Sequence, residues 1–92
     1  MTFNVHSRLP YTEFVPTLRL FATVRVAAGT GKTPIEGDTV AQVLENATAE
    51  FGDDFAQLIP ICRIWVNGTT ADHTTSVGPD DEVALLPPVS GG

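Results

Sequence analysis

The sequence predicts a two-layer α+β domain, in which one amphipathic helix lies across a small mixed sheet. Three observations predict it. A period-two apolar pattern opens the ordered part of the chain, a capped helix with an apolar stripe occupies its centre, and two further strand signals separated by turn residues follow. The 92 residues suffice for one core. Apolar residues make up 42% and charged residues 17%, a globular composition rather than that of a disordered linker. At this length folding buries about 60 to 65% of the unfolded surface, so a large site has to borrow a partner's surface.

Residues 1–16 hold two prolines and no sustained period and are read as an extension preceding a domain over 17–86. In 17–24, Leu18, Leu20, Ala22 and Val24 alternate with Arg19, Phe21 and Thr23, which predicts a strand with one buried face and Phe21 on the other. Gly29 and Gly31 supply a chain reversal, and 32–36 return as the second strand of a hairpin. Thr39 with Gln42 three positions on fits a capping box. Val40, Val43, Leu44, Ala47 and Phe51 form one stripe on the helix that follows, which Gly52 ends in the left-handed conformation. Residues 53–58 add a short turn. Pro60 breaks the chain before the apolar run 61–66, a buried strand containing Trp65. Asn67-Gly68 marks a two-residue turn, 69–71 pair back, and Gly78-Pro79-Asp80-Asp81 turns the chain into a last strand, 82–86. A helix stripe flanked by these strands is buried only against one face of a four- or five-stranded sheet, a β-grasp layout whose strand order periodicity does not give.

Charge and composition exclude several functions. Five Lys and Arg stand against 11 Asp and Glu, net −6, with the basic residues scattered along the sequence, so neither nucleic acid nor anionic lipid is an expected partner. No apolar run approaches the roughly 20 residues of a membrane span, and the first sixteen residues lack the pattern of a secretory signal, which places the protein in the cytoplasm. Cys62 is the only cysteine and sits in an apolar run, where it packs as a small hydrophobe. His6 and His73 stand far apart without a second ligand nearby. Asp53-Asp54 and Asp80-Asp81-Glu82 fall at helix ends and turns, where aspartate bonds the backbone, so no metal site is expected. Lys32, the only lysine, is a solubilising charge or, in a modifier chain, an acceptor for an isopeptide bond.

The chemistry-bearing feature is the end of the chain. Residues 87–92 read Pro87-Pro88-Val89-Ser90-Gly91-Gly92. Two prolines followed by small residues continue neither strand nor helix, which makes the segment a projecting arm. At about 3.3 Å per residue it reaches roughly 20 Å, enough to carry the terminal carboxylate into another protein's active site. Pro87-Pro88 stiffens the base, and Gly91-Gly92 is slim enough for a narrow channel.

With Leu85 and Leu86 ahead of that ending, and Leu20-Phe21-Ala22 leading to Arg25 earlier, residues 17–92 resemble the MoaD/ThiS family of ubiquitin-like sulfur carriers, and the Pro-Pro-Val-x-Gly-Gly ending resembles most the small subunit of molybdopterin synthase. The resemblance implies that an ATP-dependent activating enzyme, itself like the ubiquitin-activating enzymes, adenylates Gly92. A sulfur donor then displaces AMP to leave a thiocarboxylate. It implies that the carrier binds no cofactor of its own, that ATP is used by the partner, and that the recipient is the large subunit of molybdopterin synthase or another sulfur-incorporating enzyme, for cysteine, thiamin or a secondary metabolite. A ubiquitin-like modifier joined through Gly92 to lysines is the alternative. The resemblance also places Phe21 and Leu86 on a hydrophobic face that meets the partners, although Leu86 fits a core position equally well.

Overall fold

In the computed structural model, which describes residues 15–88, Leu18 and Leu20 alternate with Arg19 as expected and form β1 (Thr17–Leu20), both leucines being buried. The strand then stops short of the predicted end. Phe21 is the extended N-cap of a helix, α1 (Ala22–Ala28), which takes Ala22 and Val24 out of the sheet. The two readings coincide over Leu20 and Val24, because positions four apart share a face in a strand and in a helix alike. What decides for the helix is Val24, Ala27 and Ala28, a stripe at i, i+3 and i+4 packed on the core, closed by Gly29 at φ 78° with its N–H bonded to the Arg25 and Val26 carbonyls. Ala22 stands in the left-handed region at φ 52°, a conformation that costs a residue with a Cβ about 1 kcal/mol, and it marks the sharp exit from sheet to helix.

β2 (Lys32–Pro34) pairs antiparallel with β1, Leu18 opposite Thr33 and Arg19 opposite Lys32. The pair is therefore not the tight hairpin the glycines suggest, since a helix fills the connection, and β2 ends two residues before Glu36. The main helix, α2 (Val40–Phe51), starts as predicted: Thr39 Oγ1 accepts the Gln42 N–H at 3.2 Å, and Gln42 Oε1 accepts the Asp38 N–H at 2.8 Å, one residue upstream of the usual box. Val40, Val43, Leu44 and Ala47 are buried. Gly52 ends the helix at φ 95° and ψ −171°, a positive φ but not the left-handed helical conformation expected. The turn predicted over 53–58 is a helix, α3 (Asp53–Leu58), whose first turn carries Asp53 and Asp54 where the helix dipole favours them. It buries Phe55, whose ring meets Phe51 edge to face at 5.2 Å.

A 3-10 turn at Ile59–Ile61 holds Pro60 and delays β3 (Arg63–Val66) by two residues, which leaves Ile61 exposed instead of buried in a strand. Asn67 and Gly68, at φ 52° and 82°, form the expected turn into β4 (Thr69–Thr70). β5 (Glu82–Leu86) has the predicted bounds. The strand order is β2-β1-β5-β3-β4, with β1 and β5 parallel and the other pairs antiparallel, a mixed five-stranded sheet of β-grasp type with α2 as its main helix. Leu18, Leu20, Ile64, Val83 and Leu85 from the sheet meet Val24, Val40, Val43, Leu44 and Phe55 from the helices in one core. No helix among the described residues is long and apolar enough to cross a membrane.

Candidate functional site

β5 is the middle strand of five, so the chain leaves the domain from the centre of the sheet's end rather than from an edge. Leu85, the last core residue among those described, stands between Leu20 of β1 and Ile64 of β3, and Leu86 pairs with Arg63. Leu86 points opposite to Leu85 and is half-buried, which places it on the uncovered face of the sheet and not in the core. Pro87 and Pro88 follow outside the strand, since a central strand, unlike the edge strand β2 that ends in Pro34, needs its N–H groups for the ladder. The expected reactive segment Val89, Ser90, Gly91 and Gly92 lies outside the described residues, as does His6.

The register lays out the face around this exit. One row across the sheet reads Lys32, Arg19, Ala84, Trp65, Thr70, and the next, toward the exit, pairs Leu86 with Arg63. Phe21 follows Leu20 at the same level as Leu86 and is 38% exposed, with the Arg19 guanidinium 5.4 Å from its ring centroid. The sequence expectation that Phe21 faces away from Leu18 and Leu20 therefore holds, although Phe21 is the last extended residue before a helix and not the middle of a strand. Trp65, expected in a buried strand, is half-buried on this same face. Every residue of the row is half-buried or exposed, and Glu82, 3.5 Å from Arg19, is the acidic residue the strands contribute to this side. A chain of net charge −6 thus presents a basic and apolar face beside the root of its tail.

The other candidates are occupied locally. The Cys62 thiol donates to the Leu58 carbonyl at 3.2 Å and packs against the core, and burial pushes its pKa up, which leaves little thiolate for nucleophilic chemistry. Asp72 accepts from the hydroxyl and N–H of Thr74, and Asp81 accepts from the Gly78 N–H and the Asn67 amide; these bonds hold both carboxyls below the usual range. His73 and Asp80 are exposed. Among the described residues no three His, Cys, Asp or Glu side chains gather as a metal site would require. Sequence reasoning missed α1 and, with it, the placement of Arg25 beside Arg19 and Lys32; the stripe of Val24, Ala27 and Ala28 ahead of Gly29 is the signal that finds it.

Residues 18–92, the Gly-Gly ending included, match the ThiS family. Among curated proteins none matches this chain. Small archaeal modifier protein 1 from Haloferax volcanii is 30% identical, with a TM-score of 0.70 over 84% of this chain and 98% of that one. Its namesake from Methanosarcina acetivorans is 29% identical, with a TM-score of 0.70 over 86% and 98%. The BexX/CysO complex of Amycolatopsis orientalis contains a chain of the same fold, 19% identical, with a TM-score of 0.74 over 85% of this chain and 100% of that one.

Proposed function

The chain belongs to the ThiS family of ubiquitin-like sulfur carriers, and from that premise we propose that Gly92 is its reacting residue, cycling between carboxylate and thiocarboxylate. The observation that supports this most is where the chain leaves the sheet: at Leu86, from the central strand, between Phe21 and Arg63, on a basic and apolar face. A partner that covers this face receives the six residues 87–92 at its own centre.

A carboxylate is a poor electrophile. Attack of its oxygen on the α-phosphate of ATP, in a ubiquitin-activating-like partner, expels pyrophosphate and gives an acyl-adenylate, whose leaving group is AMP. A sulfide equivalent from a sulfur donor adds to the Gly92 acyl carbon, AMP departs, and the terminus keeps sulfur in place of one oxygen. The carrier needs no nucleophile or base of its own for these steps; it supplies a positioned and renewable reactant. Phe21 and Leu86 serve as apolar anchors for the activating enzyme and for the recipient. The reading extends to the recipient as the large subunit of a molybdopterin synthase, with sulfur incorporation into cysteine, thiamin or a secondary metabolite as other destinations, and to the cytoplasm as the compartment.

A second reading, a protein modifier joined through Gly92 to lysine amines, draws on the 30% and 29% identities to small archaeal modifier proteins. It shares the acyl-adenylate and differs in the nucleophile. Incubation with an activating enzyme, ATP and a sulfur donor, followed by intact mass, tests both: exchange of one oxygen for sulfur is expected, and protein adducts without that exchange favour the modifier. No change with several competent activating enzymes, while a known carrier reacts in parallel, overturns the assignment.

A further inference from the structure

Four basic residues fall within the described part of the chain, and three of them line one cleft. Arg19 from β1, Arg25 from α1 and Lys32 from β2, with Phe21 and Thr30, surround about 400 Å³ that opens to solvent, and none of the residues lining it is acidic. In a chain of net −6 this gathering runs against the composition, and like charges brought together cost the fold free energy instead of stabilising it.

The two arginines pack against their surroundings, and the backbone that carries the lysine is braced. Arg19 lies over the Phe21 ring and touches Glu82 at 3.5 Å in a part-exposed pair, while its Nε is shielded from solvent and bonded to nothing. The Arg25 side chain lies against Gly31, where an added Cβ would come within 3.1 Å of its Nε. Thr30 Oγ1 donates to the Lys32 carbonyl at 3.1 Å and braces the turn that carries the lysine.

We propose that this cleft takes an acidic segment of a partner protein, its carboxylates meeting Arg19, Arg25 and Lys32 while a neighbouring apolar side chain packs on Phe21. An enclosed phosphate site needs donors converging on one small volume. Here the cations stand around an open mouth on three separate elements, bordered by an exposed aromatic ring, which suits a strip of mixed acidic and apolar side chains. The 11 carboxylates of the chain disfavour such a segment over most of the remaining surface, so charge biases where it docks. The inference rests on the carrier reading for its biological partner, because the cleft borders the root of the tail. Its test does not depend on transfer chemistry, and failure of one leaves the other standing.

The full chain, isotopically labelled, is titrated with a synthetic peptide alternating glutamate with leucine and phenylalanine, with its glutamine counterpart, and with inorganic pyrophosphate. Saturable binding of the acidic peptide is expected, with amide shifts clustered over residues 19–32. Its affinity should fall about tenfold for Arg25→Gln combined with Lys32→Gln, and fall again as salt screens the contacts. Thermal unfolding of the double variant should match or slightly exceed the parent, since both side chains are exposed and their repulsion is relieved. Equal binding of the glutamine peptide, shifts centred elsewhere, no saturable binding, or tighter binding of pyrophosphate at the same residues each overturns the proposal.

Discussion

On the helix side of the sheet Leu18, Leu20, Val83 and Leu85 are 0 to 2% exposed, while on its other side Arg19, Ala84 and Leu86 remain half-buried and Lys32 and Arg63 are exposed. The two faces differ by one step along each strand. The covered face supplies the burial that folds a small domain, and the open face keeps apolar and basic side chains that contribute little to folding and are free to meet a partner. On the proposed function, stability and recognition fall on alternate residues, which makes neighbours in one strand a natural experiment.

The largest contrast is between Leu85 and Leu86. Leu85→Ala empties a fully buried site and should cost about 3 to 4 kcal/mol in a denaturant melt. Leu86→Ala, one residue on, should cost less than about 1 kcal/mol while weakening partner binding. Equal losses of stability would mean that the faces are not separate. Phe21→Ala carries the contrast to the next element: a loss of at least about 1 kcal/mol in calorimetric titration against the activating enzyme, with a smaller loss of stability. If the melt collapses and the surviving folded protein binds normally, Phe21 belongs to the core and the docking face is wrongly drawn.

Thr39→Ala acts on the covered side alone. It removes the cap that accepts the Gln42 N–H and should cost about 1 kcal/mol of stability with no effect on binding. The smallest effect is expected at Asp81, at the end of β5 away from the tail. Its carboxyl is held below the ordinary value of 3.8 by the Gly78 N–H and the Asn67 amide, so its stabilising contribution is present above that value and disappears as pH falls through the lower, folded one. The difference in melting between the parent and Asp81→Leu should therefore shrink on acidification below the usual carboxylate range; a constant difference would remove the carboxylate from the account.

Elements governed by local rules were legible in the sequence. The Thr39 cap with its stripe, the Asn67-Gly68 turn and β5 each depend on residues a few positions apart. α1 was not read as a helix because Leu20 and Val24 satisfy both periods, and only the stripe of Val24, Ala27 and Ala28 ahead of Gly29 separates the two. β3 began later than its apolar run because Pro60 drew Ile61 into a 3-10 turn. At the site, the ending 87–92 was legible as a family motif because its residues are contiguous, and it falls within the match to the ThiS family. The cationic cleft was not, since pairing of Arg19 with Lys32 and the placing of α1 beside them bring together residues that are scattered along the chain.

We predict that the domain folds without the residues proposed to react. Among the described residues the buried core runs from Leu18 to Leu85. The most direct measurement removes Gly91 and Gly92 and follows both quantities on one preparation, the thermal melt and the ATP-dependent gain of sulfur in intact mass. An unchanged melt with complete loss of sulfur loading is the predicted result. A lowered melt, or sulfur loading that survives the deletion, would contradict it.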